Sequence, residues 1–168
     1  KQPWMERALT RLQTPFYLFD TDAAAAQVEA LRKKLPDRVG LCYAVKANPF
    51  LIRDLGPVVD HFEVCSPGEF RICERLGIPM GKVVMSGVYK TPADLERVRD
   101  CLGSGLTYTV ESSRQWRLIR EGPPRRGLQV AALLRLSVGN QFGLDPAEIK
   151  YLLREAHHAV RVTGIHRF

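Results

Sequence analysis

Segments with the residue pattern of β-strands alternate with helical segments along most of this chain. Six apolar segments predict strands, at residues 39–46, 62–65, 83–86, 106–110, 128–136 and 160–165. Helices are predicted between them, at residues 49–59, 67–76, 91–101, 112–120 and 146–157. Strict alternation favours an α/β protein with a parallel sheet, because each helix returns the chain to the same end of the sheet. The repeat length favours a (β/α) barrel. A doubly wound sheet is the alternative, although no GxGxxG sequence follows any strand.

The number of strands is smaller than a closed barrel requires. A complete barrel has eight strands in about 250 residues, whereas this chain has 168 residues. An open six-strand sheet leaves two edges unpaired. We therefore interpret the chain as the N-terminal six-strand portion of a (β/α)8 TIM-type barrel, with a missing remainder, a partner or unusual packing at the open edges.

Composition limits the possible partners and location. The formal charge is +7, but basic and acidic residues are interleaved, which favours a solvated surface over nucleic-acid binding, and no RNA or DNA motif is present. No secretory signal or apolar stretch long enough for a bilayer is found, so no membrane partner is predicted. The cysteines have no CxxC or metal-ligand spacing, which favours reduced thiols in a cytosolic protein without a metal. They are Cys42, Cys65, Cys73 and Cys101.

The predicted strand at residues 39–46 ends on a lysine and is stopped by Asn48-Pro49. Bulky residues form one row of this strand, whereas Cys42 and Ala44 lead to Lys46 on the other row. The carboxyl end of a strand faces the rim where α/β folds carry their chemistry. Taken alone, a lysine here is more often a solvated surface residue.

The run Tyr43-Ala44-Val45-Lys46-Ala47-Asn48 resembles the lysine motif of the fold-type III, pyridoxal-phosphate-dependent amino-acid decarboxylases, the diaminopimelate, ornithine and lysine decarboxylase group. The resemblance implies an alanine racemase-like barrel and a C-terminal β domain absent from this chain. It also implies that Lys46 binds pyridoxal 5′-phosphate (PLP) as a Schiff base, with Ala44 beside it, because an amine condenses reversibly with an aldehyde. Alanine racemases share the fold, but Asn48-Pro49 favours the decarboxylases.

The segment 62–69 resembles the second-strand motif of the same family. The resemblance implies that Glu63 is the acid near Lys46, in a catalytic role, and that Glu69 opens the next helix and contributes to cofactor binding. Glu69 also has a simpler interpretation, because an acid at a helix N-terminus is favoured by the helix dipole. The match at residues 85–91 is weaker, and Lys90 is interpreted as a surface loop residue.

Two later segments extend the resemblance. Residues 134–145 resemble the family pattern of an arginine ending the fifth strand before a Phe-Gly loop, which implies that Arg135 binds the cofactor's phenolic oxygen or a carboxylate. An arginine in so apolar a segment needs a partner. Residues 164–168 resemble the sixth-strand motif, in which many members have a second histidine stacked on the pyridine ring. Phe168 stands there, so Phe168 or His166 is implied as the cofactor contact.

Together these motifs imply PLP-dependent decarboxylation of a basic or diamino acid, of the diaminopimelate, ornithine or lysine type. Residues 1–21 are expected to be a lead-in helix and a strand that joins the β domain, and residues 22–168 a partial PLP-binding barrel. The full-length protein is expected to be a cytoplasmic homodimer, and this chain alone to be inactive. A fold-type III racemase and a non-catalytic PLP-binding homologue are the alternatives.

Overall fold

The computed structural model describes residues 3–101, 105–121, 129–155 and 158–167. Within these ranges the strands are β1 (Cys42–Ala44), β2 (His61–Val64), β3 (Val83–Met85), β4 (Thr107–Val110), β5 (Val130–Arg135) and β6 (Val160–His166). The helices are α1 (Pro3–Arg11), α2 (Thr21–Arg32), α3 (Ile52–Leu55), α4 (Pro67–Arg75), α5 (Pro92–Asp100), α6 (Ser113–Glu121) and α7 (Pro146–Arg154). Strands and helices alternate from β1 onward, as the sequence predicts.

The six strands form one parallel sheet in which each strand pairs with the next one along the chain. This sequential order is that of a (β/α) barrel, whereas a doubly wound sheet reverses its direction partway. In the described part of the chain, β1 and β6 are the edges of the sheet. The predicted six-strand portion of a TIM-type barrel is therefore confirmed, and the doubly wound alternative is wrong.

The two faces of the sheet differ because side chains alternate along each strand. The outer row is apolar and packs with helix residues such as Phe70 of α4 and Trp116 of α6. Its buried members include Phe62, Val64, Met85, Tyr108, Val110, Ala132 and Leu134. The opposite row forms the inner face, which carries Glu63, Thr109, Arg135 and His166. The apolar core thus lies between sheet and helices, and polar groups are left for the inner face.

Three predicted elements differ from the structure. Within residues 1–21, which are expected to give a strand to the β domain, the extended residues 14–20 form no strand here, because no backbone in the described part of the molecule pairs with them. The strand predicted at residues 39–46 is reduced to β1, since a 3₁₀ turn begins at Val45. The helix predicted at residues 49–59 is a 3₁₀ turn followed by the short α3, which ends at Leu55 because Pro57 has no backbone N–H to continue the helical hydrogen bonds.

Side chains cap several helices. Asp20 Oδ1 accepts a hydrogen bond from the Ala23 backbone N–H at 2.9 Å at the start of α2. Asp145 and Glu148 form a reciprocal capping box at the start of α7. These caps fix where the loops after the strands turn into helices.

The four cysteines are free thiols, which agrees with the prediction of reduced cysteines. Among the described residues, every helix is too short or too polar to span a bilayer.

Candidate active site

The carboxyl ends of the six strands meet at one edge of the sheet, because all the strands run in the same direction. We call this edge the strand-end rim. Each strand ends in or is followed by a residue with a polar or reactive side chain: Lys46, Cys65, Ser86, Glu111, Arg135 and His166. The rim of such a barrel is where catalytic groups are found.

Lys46 lies in the 3₁₀ turn Val45–Ala47, directly after β1, and its side chain is exposed. Asn48 ends this turn: its Oδ1 accepts from the Phe50 N–H and its carbonyl oxygen accepts from the Tyr43 hydroxyl, both at 3.0 Å. Burial raises the pKa of the Cys65 thiol, and the Ser86 hydrogen bond and the charge of Lys46 oppose that rise. The ammonium of Lys46 therefore lies near the residue that follows β2.

Glu63 points from β2 into a small polar cluster on the inner face. Its Oε1 accepts a hydrogen bond from Ser86 Oγ at 2.7 Å, and Cys65 Sγ lies 3.3 Å from the same hydroxyl. Glu63 is paired in register with Ala44, which is half-buried on β1. Burial, followed by the charge of Glu63, raises the pKa of the neighbouring Cys42 to about 11. The structure thus places Glu63 on the same part of the rim as Lys46, and its catalytic role stays a prediction.

Glu69 lies at the start of α4, and its carboxylate is engaged with the backbone. Glu69 Oε2 accepts from the Cys65 N–H at 2.7 Å, and the Glu69 N–H donates to Ser66 Oγ at 3.2 Å. These bonds tie the turn after β2 to the helix that follows. They agree with the simpler interpretation of Glu69, while its contribution to cofactor binding stays a prediction.

Arg135 has the partner that its apolar surroundings require. Its guanidinium donates a short hydrogen bond to Glu111 Oε2, and the Glu111 side chain is 1% exposed. Glu111 Oε1 accepts from the Gly87 N–H at 2.6 Å and from Thr109 Oγ1 at 3.2 Å. The carboxylate is therefore held from three directions, and it orients Arg135 at the end of β5.

The Phe-Gly loop after β5 packs onto Arg135. The Phe142 ring centroid lies 5.3 Å from the Arg135 guanidinium carbon, within cation–π distance. The Leu144 N–H donates to the Arg135 carbonyl oxygen at 2.8 Å. Gly143 has φ +87°, and a Cβ there would approach the Ser137 nitrogen to 2.9 Å, so the loop requires glycine.

Lys90 is buried, at 4% exposure, so its interpretation as a surface loop residue is wrong. Its Nζ donates to the carbonyl oxygen of Thr109, to Thr109 Oγ1 at 3.2 Å and to Gln115 Oε1 at 3.4 Å. It also lies 4.2 Å from the centroid of the Tyr108 ring. The loop after β3 folds over the end of β4, and these acceptors replace water around the amine.

His166 ends β6 and is paired in register with Arg135. Its Nδ1 is buried, with no hydrogen-bond partner among the described residues. Burial, followed by the charge of Arg135, lowers the pKa of the imidazole, which is therefore mostly neutral at pH 7. Phe168, the other predicted ring contact, lies outside the described residues.

Replacing Gly87 with alanine is expected to lower the free energy of unfolding by about 1–3 kcal/mol. Gly87 has φ +95°, and a Cβ there would lie 2.4 Å from the Cys65 carbonyl oxygen. Urea unfolding measures the effect, and Gly139→Ala is the matched control, because Gly139 has φ +87° with no atom within 4 Å of its Cβ position. Equal losses in the two variants would contradict the importance of the Cys65 contact.

Two important residues of the site were missed by sequence reasoning. Glu111 was overlooked because an acid between a strand and a serine-capped helix is an ordinary turn residue. Ser86 was noticed only as part of a weak motif, although it bridges Glu63 and Cys65. The available signal was position: Ser86 is the last residue of a predicted strand, as Lys46 is, and Glu111 directly follows one.

Comparison with known proteins supports the fold described above. Residues 19–168 match the family model described as the alanine racemase N-terminal domain. The chain is 32% identical to a diaminopimelate decarboxylase of Aquifex aeolicus, over 91% of this chain and 40% of the relative. It is also 32% identical to a lysine/ornithine decarboxylase of Selenomonas ruminantium, over 93% of this chain and 40% of the relative. The chain thus spans about two fifths of the length of these relatives.

Solved structures give the same result for the fold. The structure of lysine/ornithine decarboxylase from Vibrio vulnificus, complexed with putrescine, is 25% identical, with a TM-score of 0.78 over 98% of this chain and 44% of that chain. Diaminopimelate decarboxylase from Helicobacter pylori, complexed with L-lysine, has a TM-score of 0.81 at 22% identity, over 46% of that chain. The predicted resemblance to fold-type III PLP-dependent decarboxylases, with an alanine racemase-like barrel, is confirmed.

Proposed function

We propose that the full-length protein is a PLP-dependent decarboxylase of a basic or diamino acid, because this chain belongs to the family of the alanine racemase N-terminal domain. Similarity to enzymes named diaminopimelate and lysine/ornithine decarboxylases supports this reaction class. Diaminopimelate, ornithine and lysine are the candidate substrates. The observation that carries the proposal is the shared position of Lys46, Glu63 and Arg135 at the strand-end rim.

The residues of the rim fit PLP. Lys46 offers an exposed amine beside the end of β2, where it can condense with the cofactor's aldehyde. Ala44 leaves room on the inner face because its side chain is small. His166 Nδ1 is a buried polar atom without a partner among the described residues, so a polar group of a bound cofactor would satisfy it.

Charged groups at the rim have separate proposed roles. Arg135 is a permanently charged donor, fixed by Glu111, and is suited to the phenolic oxygen of PLP or to a substrate carboxylate. Glu63 stabilises a protonated amine at Lys46 by its negative charge. Glu69 fixes the turn between Glu63 and α4 through the Cys65 N–H. Bound PLP supplies the electron sink that accepts the electron pair left by the departing carboxylate.

A decarboxylation assay on the full-length protein tests the proposal. The protein is incubated with PLP and, in separate reactions, with diaminopimelate, ornithine or lysine, and both released CO₂ and the chirality of the remaining amino acid are measured. We expect CO₂ and a diamine or lysine product, with no racemised substrate. Racemisation without CO₂ would instead support the racemase alternative. PLP binding with neither reaction would support a non-catalytic homologue.

The same assay on the 168-residue chain is expected to give no turnover. The chain spans about two fifths of the length of its relatives, and the resemblance implies that the segments that bind the cofactor's phosphate and the substrate side chain belong to the remainder. Turnover by this chain alone would overturn that expectation.

Residues 1–21 are proposed to pack against the β domain of the full-length protein. Support comes from exposed aromatic side chains: Tyr17 is 92% exposed and Phe50 is 81% exposed. They border an open apolar cavity of about 630 Å³, lined by Tyr17, Phe19, Ala47, Asn48, Pro49 and Phe50. Aromatic surface of this kind commonly marks an interface. A homodimeric state and a cytoplasmic location stay predictions for the full-length protein.

A further inference from the structure

Lys90 is a buried, ionisable side chain that the proposed reaction does not use directly. A buried ammonium is unfavourable unless several acceptors surround it. Lys90 has such acceptors in the carbonyl and hydroxyl oxygens of Thr109 and in Gln115 Oε1. These bonds join the loop after β3 to β4 and α6, directly beneath the strand-end rim.

Two hydrogen-bonded paths lead from Lys90 to Glu111. In the first, Lys90 donates to Thr109 Oγ1, and that hydroxyl donates to Glu111 Oε1. In the second, Gln115 Oε1 accepts from Lys90 and also from the Glu111 N–H, at 2.8 Å. The Gln115 amide nitrogen donates to the carbonyl oxygens of Gly87 and Val88, which fixes the amide's orientation. Lys90 therefore acts on both the side chain and the backbone of Glu111.

The first path depends on the orientation of the Thr109 hydroxyl proton, which must point toward Glu111 Oε1. A hydroxyl has a single hydrogen, so Thr109 can donate to Glu111 while its lone pair accepts from Lys90. A charged donor on Thr109 favours this direction and strengthens the bond to the carboxylate. Glu111 in turn binds Arg135 through its other oxygen.

We propose that Lys90 is a positioning residue, which through Thr109 and Gln115 orients Glu111 and thereby holds Arg135 at the rim. Only the predicted effect of Lys90 on catalysis rests on the proposed function. The positioning of Glu111 and Arg135 by Lys90 involves residues of this chain alone and does not depend on that function. Lys90 makes no contact with the reacting atoms in this account.

Burial lowers the pKa of Lys90 to about 7. The charges of Glu111 and Cys65 raise the pKa of the amine, whereas the charge of Arg135 lowers it, and His166 also interacts electrostatically with Lys90. The Tyr108 ring also faces it. Between the folded pKa of about 7 and the ordinary value of 10.5, the unfolded chain binds a proton that the folded chain does not. The contribution of Lys90 to the free energy of unfolding therefore rises with pH across this window and is least favourable below pH 7.

Three variants separate positioning from simple packing. Lys90→Met removes the charge and the donors, Lys90→Arg keeps a permanent charge, and Thr109→Val removes only the hydroxyl path at nearly constant volume. In the full-length protein we expect Thr109→Val and Lys90→Met each to reduce kcat/KM by about tenfold, the equivalent of one charge-assisted hydrogen bond. We also expect the double variant to be no worse than Lys90→Met alone.

The pH profile adds a readout that a packing role would not move. The ratio of Lys90→Arg to wild-type kcat/KM is expected to rise as pH increases through about 7, because the wild-type amine loses its charge there. The loss in Lys90→Met is expected to be smaller above pH 7 than below it, although it should not vanish, because the neutral wild-type amine still donates to Thr109. Additive losses in the double variant, or ratios independent of pH, would overturn the proposal.

Titration of His166 by NMR tests the positioning without activity. The charge of Arg135 lowers the pKa of His166, so a displaced Arg135 changes the imidazole titration. Thr109→Val changes no formal charge, and a shifted His166 pKa in this variant would therefore report a rearrangement of the charged groups that act on the imidazole, which include Arg135, Glu111 and Lys90. An unchanged His166 pKa would overturn the inference, even in a protein that decarboxylates amino acids. A shifted pKa in a protein that neither binds PLP nor turns over would overturn only the proposed function.

Discussion

Replacing Lys46 with alanine is expected to reduce the decarboxylase activity of the full-length protein by at least about 10³-fold, since removal of an essential nucleophile can cost as much as about 10⁶-fold in kcat. The variant removes the exposed amine at the end of β1. The amine of Lys90 cannot take its place, because Lys90 is buried and bonded to Thr109. Folding should be unaffected, since the Lys46 side chain is exposed and the turn is held by Asn48.

Two measurements check this prediction. Steady-state assays of CO₂ release give kcat and KM, and borohydride reduction followed by peptide mapping identifies the lysine that is covalently bound to PLP. We expect the label on Lys46 and not on Lys90. Lys46→Arg keeps the positive charge without a condensing amine and should be as inactive as Lys46→Ala.

Lys150→Ala is the matched surface control, because Lys150 is an exposed lysine on α7, away from the strand ends. It should retain wild-type activity and labelling. A Lys46→Ala protein with more than about a tenth of wild-type activity would refute the assignment of Lys46, because loss of an essential nucleophile costs far more than that. Loss of the label with an unchanged rate would show that the lysine binds PLP without contributing to the reaction.

The fold was predictable because its determinants are local. The apolar runs of β2 to β6, with glycine or proline near their ends, define strands without reference to the rest of the chain. The absence of a strand at residues 14–20 in the described part of the chain has a physical cause: an extended segment becomes a strand only when another strand satisfies its backbone hydrogen bonds. The sequence of the segment does not show whether such a partner strand is present.

The candidate site was predictable in part. Lys46 and Arg135 stand at strand ends in recognisable motifs, whereas the partner of Arg135 lies 24 residues earlier, after a different strand. The buried amine of Lys90 donates hydrogen bonds to Thr109 and Gln115, which lie 19 and 25 residues later in the sequence. Contacts between residues so far apart in sequence arise because neighbouring parallel strands bring their ends together. The sequence pattern predicts the strands, but it does not predict which loop side chains fold over the strand ends.

Replacing Glu111 with leucine is expected to lower the free energy of unfolding by about 3–5 kcal/mol, the usual cost of removing one member of a buried ion pair. The Glu111 side chain is 1% exposed and that of Arg135 is 14% exposed, so water cannot fully replace the lost carboxylate. The Gly87 N–H and the Thr109 hydroxyl also lose their acceptor. Urea unfolding monitored by circular dichroism measures the loss.

A double-mutant cycle with Arg135→Met separates the uncompensated charge from the other losses. A buried ion pair replaced by apolar residues of similar size is often close to neutral, so Glu111→Leu/Arg135→Met should be more stable than Glu111→Leu alone. We expect a coupling free energy of about 1–3 kcal/mol between the two positions. Recovery should be partial, because the Gly87 N–H stays without its acceptor in the double variant.

Glu111→Gln supplies the isosteric comparison. It keeps an oxygen for the Gly87 N–H but removes the negative charge, so it should be less destabilising than Glu111→Leu. Arg120→Met and Glu155→Leu provide a matched surface pair, since their ion pair at 3.0 Å is about 30% exposed on each side chain and exposed pairs contribute about 0–1 kcal/mol. Equal coupling in the two cycles would mean that burial does not strengthen the Glu111–Arg135 pair, and the account of Arg135 as a group fixed by a desolvated carboxylate would then fail.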